Sequence, residues 1–446
     1  MNRILLLLLL IVLSPGAAFA QDAGAQKADD RPTGLPSKVE WKFNLDAGWG
    51  VFGFGNSLYQ DPKEGVRQNY GDNWMEGYVK PAITGTWKLQ SSSEFYGKLS
   101  AAGERTYATP PPLVGRDQSS FLPEDAYIGW RSGKAFESLG ENALDFSFGR
   151  APYTIGKGLL LWDGAAEGGT RGGYWSNIRK AFTIAAVGRF KPGHHTLEGF
   201  FLKKDDLPEH DTDTYLWGSN YEYRIGDANT FGATYMKWKS KTIPTRNHLD
   251  VYNVRAYTAP VPAAKDLSFE LEYAAERNGD VLHSNAWTAL SAYQFSNVNW
   301  KPKLSYRYAF FEGDKVNTTP TENFDPLYLG FSDWGSWWQG EIAGEYFLSN
   351  SNLKSHQARL HLTPNDSVSG GVIFYKFLAD QPAAYGPGIT SHDLAVEVDG
   401  YTDWKINKNF TASFILAWAE PQAAVQQSSG RTQNFRYGMV FLAYSF

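Results

Sequence analysis

Phe410-Thr411-Ala412-Ser413-Phe414-Ile415-Leu416-Ala417-Trp418 is the stretch from which the fold can be read. Successive residues of an extended chain point to opposite faces. Ala412, Phe414, Leu416 and Trp418 therefore share one face, and Thr411, Ser413, Ile415 and Ala417 the other. The same pattern recurs upstream. Leu267, Phe269, Leu271 and Tyr273 alternate with Ser268, Glu270 and Glu272; Leu304, Tyr306, Tyr308 and Phe310 with Lys303, Ser305 and Arg307; Leu394, Val396 and Val398 with Asp393, Ala395, Glu397 and Asp399. From about Glu40 onward the chain repeats this unit, each time followed by a turn or loop.

A soluble β-sandwich also alternates, but three features favour a transmembrane antiparallel β-barrel. The units number about 18 with no linker between them, aromatic residues sit near their ends, and the connections alternate between short and long. Short turns are expected at Lys191-Pro192-Gly193, Gly226-Asp227-Ala228-Asn229, Thr363-Pro364-Asn365-Asp366 and Lys405-Ile406-Asn407-Lys408. Long loops are expected over 107–121, 151–175, 204–212, 314–350, 379–391 and 419–432. Trp337 to Leu348 alternates moderately, but as a strand it would make the count odd and put long loops on both sides. It is therefore read as part of the 314–350 excursion.

The chain ends frame the same picture. Met1-Asn2-Arg3, the apolar run Ile4–Leu13 and Ala18-Phe19-Ala20 form a basic start, a short apolar core and a small-x-small cleavage site, so residues 1–20 are expected to be a cleaved secretory signal. The barrel is expected within 21–446, with 21–39 a flexible N-terminal segment. Val440, Leu442, Tyr444 and Phe446 alternate to the last residue, a pattern resembling the signal read by the outer-membrane assembly machinery. Aromatic residues make up 15% of the chain, which suits girdles at two membrane interfaces. Cysteine is absent, so no disulfide, thiolate metal site or cysteine nucleophile is available. A formal charge of −5 argues against nucleic-acid binding.

Chemistry-bearing motifs are lacking. The histidines form no His-Glu-x-x-His arrangement, and His194-His195 reads as a solvated turn. No Gly-x-Ser-x-Gly elbow occurs. An enzyme, a cofactor and a bound metal are not expected. Strand parity places Lys98, Arg131, Arg255, Lys303, Arg307 and Arg359 inward, with Asp125, Glu222, Glu270, Glu272, Glu397 and Asp399. A polar lumen is what any water-filled barrel requires. The 151–175 loop is unusual, because glycines alternate with Leu159-Leu160-Leu161-Trp162. Two readings stay open: an external cap, or a loop folded inward whose Lys157, Leu161, Trp162, Arg171 and Trp175 narrow the pore. Phe331, Trp334, Trp337 and Trp338 form a second aromatic group, suited to loop packing or to stacking on a sugar.

Phe148-Gly149-Arg150 resembles the Phe-Gly-Arg-Gln strand end of the alginate-export porins, with Ala151 in place of the Gln. Ser351-Asn352-Leu353, Leu360 to Leu362, Pro364-Asn365-Asp366, Val372 to Phe377, His392-Asp393-Leu394 to Val398, the Ala412–Trp418 strand and Phe446 follow that family's order. The resemblance implies an 18-stranded outer-membrane barrel, an inward set of Arg and Lys that attracts an anionic polysaccharide, and a long loop that restricts the pore. It adds Arg150 to the lumen set. Arg150 shares parity with Phe146 and Phe148, so it reaches the lumen only if a bulge at Gly149 re-aims it. The expected function is an outer-membrane pore for an oligo- or polysaccharide; the alternative is a porin for small sugars or organic acids, and an adhesin, receptor or structural barrel ranks below both. Expected partners are outer-membrane lipid, the barrel assembly machinery through the strand ending at Phe446, and a carbohydrate or small polar solute.

Overall fold

The computed structural model describes residues 39–56, 73–89, 92–111, 117–165, 168–226, 228–259, 264–330 and 339–446. The proposed signal, the 21–39 segment up to residue 38, and the aromatic group Phe331, Trp334, Trp337 and Trp338 lie outside them.

Eighteen strands form one sheet. They are β1 (Glu40–Gly55), β2 (Asn73–Lys88), β3 (Glu94–Tyr107), β4 (Ser119–Arg131), β5 (Leu144–Pro152) and β6 (Ala181–Phe190). Then come β7 (His195–Lys203), β8 (Tyr215–Ile225), β9 (Asn229–Lys239), β10 (Asp250–Thr258), β11 (Leu267–Asn278) and β12 (Leu282–Gln294). The last six are β13 (Lys303–Phe311), β14 (Leu353–Leu362), β15 (Val368–Ala379), β16 (Asp393–Lys405), β17 (Phe410–Pro421) and β18 (Phe435–Ser445). Each pairs antiparallel with its sequence neighbours, and β1 pairs with β18 in the register Ala47↔Tyr444 and Val51↔Val440. Phe446 extends the seam, since its N–H donates to the Leu45 carbonyl at 3.0 Å. The sheet has no open edge, the condition under which strands can cross a membrane with every ladder satisfied.

The outer face follows the alternation. Leu416 is 74% exposed, and Phe148, Ile128 and Leu271 are likewise open on the outside of the wall. Their neighbours Ile415, Ala417 and Glu272 are buried on the inside. Most connections at the end holding the termini of β1 and β18 are short, the periplasmic arrangement, and the opposite end carries the long loops. Two connections depart from this rule: β4 to β5 takes residues 132–143 on the short side, and β11 to β12 takes only 279–281 on the long side. Residues 312–352 form one excursion, and its described residues hold a π-helical turn at Gly340–Gly344 and none of the eighteen strands.

Inside the long-loop half, much of the inner face is apolar and is set among buried carboxylates. Leu202, Leu216, Met236, Trp238 and Phe311 are fully buried there. What covers them is loop, not lipid, as the site geometry shows.

Candidate functional site

The β5–β6 connection enters the barrel. Beyond Pro152, Tyr153 packs against Phe200, ring centroids 4.9 Å apart. Gly156 then lies flat on the far wall: a Cβ there would come within 2.8 Å of the Tyr257 hydroxyl and 2.9 Å of Arg255 Cδ, and its φ of +54° also favours glycine. Lys157 reaches Glu270 of β11 at 2.5 Å. Leu159, Leu160 and Leu161 are all buried. The segment then turns back across the lumen. Trp175 donates its backbone N–H to both carboxylate oxygens of Glu76 on β2 at 2.9 and 3.0 Å, and its ring lies 5.1 Å from that of Phe441 on β18. One loop thus touches walls six strands apart on one side and five on the other, counted around the order β5 to β11 and β5 back to β18.

A second loop completes the constriction. In the 312–352 excursion, Tyr328 pairs in parallel with Leu161. Trp162 N–H donates to the Tyr328 carbonyl at 2.8 Å, Tyr328 N–H to Leu160 at 3.1 Å, and Gly330 N–H to Gly158 at 3.0 Å. The Tyr328 ring sits 4.8 Å from Trp238 of β9. Arg246, in the β9–β10 connection, grips Asp325 bidentately at 2.6 Å through two nitrogens. Farther along, Trp175 Nε1 donates to Glu341 at 2.8 Å, tying the two loops together again. Tyr346 packs on Phe54 of β1 at 4.6 Å and on Tyr437 of β18 at 5.9 Å. These contacts explain the apolar lining of this half: wall and loops share one core inside the barrel.

Buried wall carboxylates fasten the loops by their backbones. Glu104 of β3 accepts from Ile178 at 3.0 Å. Glu124 of β4 accepts from Lys180 and Ala181 at 2.6 and 3.0 Å. Glu276 of β11 accepts from Asp325 at 2.9 Å. On β16, Glu397 takes Ile342 and Ala343 at 2.7 and 2.8 Å, and Asp399 takes Glu341 at 3.1 Å. Together with Glu76, each is at most 3% exposed. These bonds satisfy loop N–H groups that have no ladder partner.

The sequence-derived cations sit as follows. Lys98 meets Asp125 at 2.9 Å, Arg131 meets Glu94 at 2.7 Å, and Arg255 meets Glu222 at 2.9 Å. Arg307 donates to Gln357 at 3.5 Å, Arg359 Nε to the Tyr401 hydroxyl at 2.8 Å, and Lys303 is half-buried at the periplasmic end of β13. Arg150 is re-aimed by a register shift between Gly149 and Ala151, with Gly149 at φ +137°. It reaches Asp205 of the β7–β8 connection at 2.6 Å, and there joins Arg179 at 2.6 Å and Arg171 at 3.3 Å. Burial works against the Asp205 carboxylate, but the Arg150 hydrogen bond and the neighbouring guanidinium charges outweigh it and hold its pKa below the ordinary value. Lys98, Arg131 and Arg255 are thus brought to wall acids, Arg150 and Arg171 to a loop acid, and Lys157, Leu161, Trp162 and Trp175 to the constriction. Sequence reasoning missed Arg179, Asp205, Arg246, Tyr328 and the amide-accepting roles of the wall carboxylates; their partners are distant in the chain, and no local motif marks them. Among the described residues no group of His, Asp and Glu is arranged to hold a metal ion.

A closed barrel with a polar wall, an apolar outer face and loops folded into its lumen defines an outer-membrane pore. The chain belongs to the alginate export family, whose model matches residues 124–438. Comparison with curated proteins finds no match. Among solved structures, the chain is similar to Pseudomonas aeruginosa OccK5 (OpdH), with a TM-score of 0.58, 9% identity, and coverage of 91% of this chain and 98% of that one. It is also similar to OccK2 (OpdF) of the same organism, at TM-score 0.54 and 12% identity, covering 91% and 98%, and to OccK3 (OpdO), at 0.53 and 12%, covering 91% and 96%. At these identities the likeness concerns the fold. Family and fold together indicate a channel rather than an enzyme.

Proposed function

We propose that the pore is selective for an oligo- or polysaccharide bearing negative charge, in keeping with the alginate export family to which the chain belongs. The observation that carries the reading is the lumen itself. Two loops narrow it, and Lys157 stands over the Tyr257 ring where the first loop meets the wall, its nitrogen 5.0 Å from the ring centroid. Cations raise the local concentration of an anionic solute, and an aromatic face offers a stacking surface to a sugar ring. Arg150, Arg307 and Arg359 are further cations on the inner face of the wall.

A small-nutrient pore is the second reading, and one observation favours it: the long-loop half of the lumen is filled by a packed core rather than left wide. Single-channel conductance separates the two. With oligouronates, neutral oligosaccharides and monosaccharides as blockers, oligouronates should block most strongly and longer ones should block longest. Block by monosaccharides or small acids alone would favour the second reading. Replacing Arg150, Arg307 and Arg359 with Gln should lower the preference for anions; an unchanged preference would assign these arginines to structure.

A further inference from the structure

Charged side chains on the lipid-facing side of the wall are distributed asymmetrically. The pairings Lys237↔Asp250 and Asp250↔Arg277 put these residues in one row around the outside, with Lys239 one step beyond. Lys203, at the end of β7, continues this side. Lys354 of β14 and Lys376 of β15 form a second group, separated from the first by β12 and β13, next to His356, whose Nδ1 is 2.7 Å from the Tyr306 hydroxyl. Arg105 on β3 and Arg436 on β18 complete the set. All of them lie in the long-loop half of their strands. In the other half, the outward positions of the described strands are filled by residues such as Trp41, Phe43, Leu197, Phe231, Leu304 and Trp404, and His195 is the only one of them with a basic side chain.

The level matters as much as the sign. β11 has 12 residues. At about 3.4 Å per residue and a tilt of about 40°, it rises roughly 30 Å along the membrane normal, against an apolar band of about 25 Å. Arg277, next to its end, therefore stands at the outer edge of that band and not far out in solvent. Directly below it come Tyr235, Tyr252 and Tyr273, whose hydroxyls reach Asp250 at 2.6 Å (Tyr235) and Asn285 at 2.7 Å (Tyr273). The order from the membrane centre is aliphatic, tyrosine, then cation.

Acids accompany the cations without cancelling them. Asp250 binds Lys237 at 2.7 Å and Asp393 binds Lys376 at 3.3 Å. Asp380 binds Lys354 at 2.8 Å, and Asp213 binds Lys203 at 2.9 Å with Asp211 at 3.8 Å. Glu420 is the remaining acid on this face of the described strands. An ammonium has three donors, so one carboxylate neighbour leaves capacity for a further oxyanion, and Arg277, which donates to the Glu276 and Ser284 carbonyls and to Asn285 Oδ1, has five N–H donors and no carboxylate among these partners.

We infer that this outer belt, centred on Lys237, Lys239 and Arg277 and on Lys354 and Lys376, binds the phosphates of a phosphorylated glycolipid confined to the outer leaflet. A leaflet of zwitterionic lipid gives no reason for cations on one half of the wall and none on the other; a leaflet whose headgroups carry several phosphates does.

The test uses the purified, folded barrel in neutral detergent. Its thermal unfolding is followed with lipid A, dephosphorylated lipid A, phosphatidylethanolamine and inorganic phosphate as separate additions. Lipid A should raise the melting temperature, while the other three should have little effect. The variants Lys237→Gln/Lys239→Gln/Arg277→Gln and Lys354→Gln/Lys376→Gln should each lose a large part of that rise, whereas Lys42→Gln/Lys88→Gln at the inner rim should keep it. If a belt variant fails to fold, the wild-type barrel at raised salt serves instead, where the rise should shrink. Equal stabilisation by the dephosphorylated lipid, an effect of inorganic phosphate as large as that of lipid A, or a rise indifferent to both the belt variants and salt overturns the inference.

Discussion

Leu416 and Ser413 lie on one strand yet face different solvents. Leu416 is 74% exposed toward lipid, and Ser413 faces inward with its Oγ donating to Asp403 at 2.6 Å. Lysine at Leu416 should destabilise the barrel by about 2–4 kcal/mol, the cost of a cation near the bilayer midplane. Lysine at Ser413 should cost far less, because Asp403 is beside it. Urea unfolding in lipid vesicles measures both, and equal losses would mean that the faces are assigned the wrong way round. Glu345 makes a different kind of residue-scale point. It sits in the 312–352 loop, where burial raises its pKa to about 7 against the opposing pull of Lys180, with Glu76 adding to the rise. An acid with a raised folded-state pKa keeps its proton in the folded loop. Its packing is therefore fully stable below the ordinary glutamate value of about 4.3 and weakens as pH rises toward 7. Current noise from the loop should accordingly increase between about pH 5 and pH 7.5, and Glu345→Gln should flatten that dependence. A wild-type pore with the same noise across this window would refute the assignment.

At the scale of elements, the loops are held by wall acids as well as by apolar packing, and this makes their attachment sensitive to small changes. Glu397 accepts one loop amide on each oxygen, from Ile342 and Ala343. A glutamine can replace only one acceptor, and its NH2 would face the other N–H. Glu397→Gln/Asp399→Asn should therefore cost about 1–3 kcal/mol for each buried N–H left without an acceptor. That corresponds to roughly a tenfold or larger rise in the fraction of time this segment is detached. Limited proteolysis within 339–352 would register the change, and unaltered cleavage of a folded variant would show that the bonds are dispensable. The sequence disclosed half of this arrangement. Leu159-Leu160-Leu161-Trp162 is too apolar for a solvated loop, so its need for cover could be read locally. Its cover could not: Tyr328 belongs to a different loop, and the Trp175–Glu341 bond joins residues 166 positions apart. Arg150 shows the same limit. Alternation places it with Phe148 on the lipid side, and only the shift at Gly149, which depends on pairing with β6, turns it toward Asp205.

For the whole molecule, period-2 alternation was enough to give the strand number, because a strand that faces lipid must repeat its apolar face along its full length and a closed barrel needs an even count for its loops to stay in phase. The same rule misjudged the lumen. Alternation predicts a polar inner face throughout, but Trp238, Phe311 and Leu216 are buried on it, since the loops make that half a protein interior. Barrel and constriction should then be separable. The wall is closed by strand pairs, including β1 with β18 over Asp46–Gly55 and Arg436–Ser445. Replacing residues 157–175 by a short Gly-Ser bridge would take the Trp175 amide from Glu76 and open that carboxyl to lumen water, which can hydrate it, while Glu104 and Glu124 keep Ile178, Lys180 and Ala181, so the barrel should still fold. It should keep its β circular dichroism and its resistance to detergent until heated. Single-channel conductance should rise severalfold and discrimination among solutes should fall, because Lys157 and Trp175 would no longer cross the lumen. A folded barrel with wild-type conductance after this replacement would show that residues 157–175 do not set the pore's width, leaving the 312–352 loop as the sole constriction.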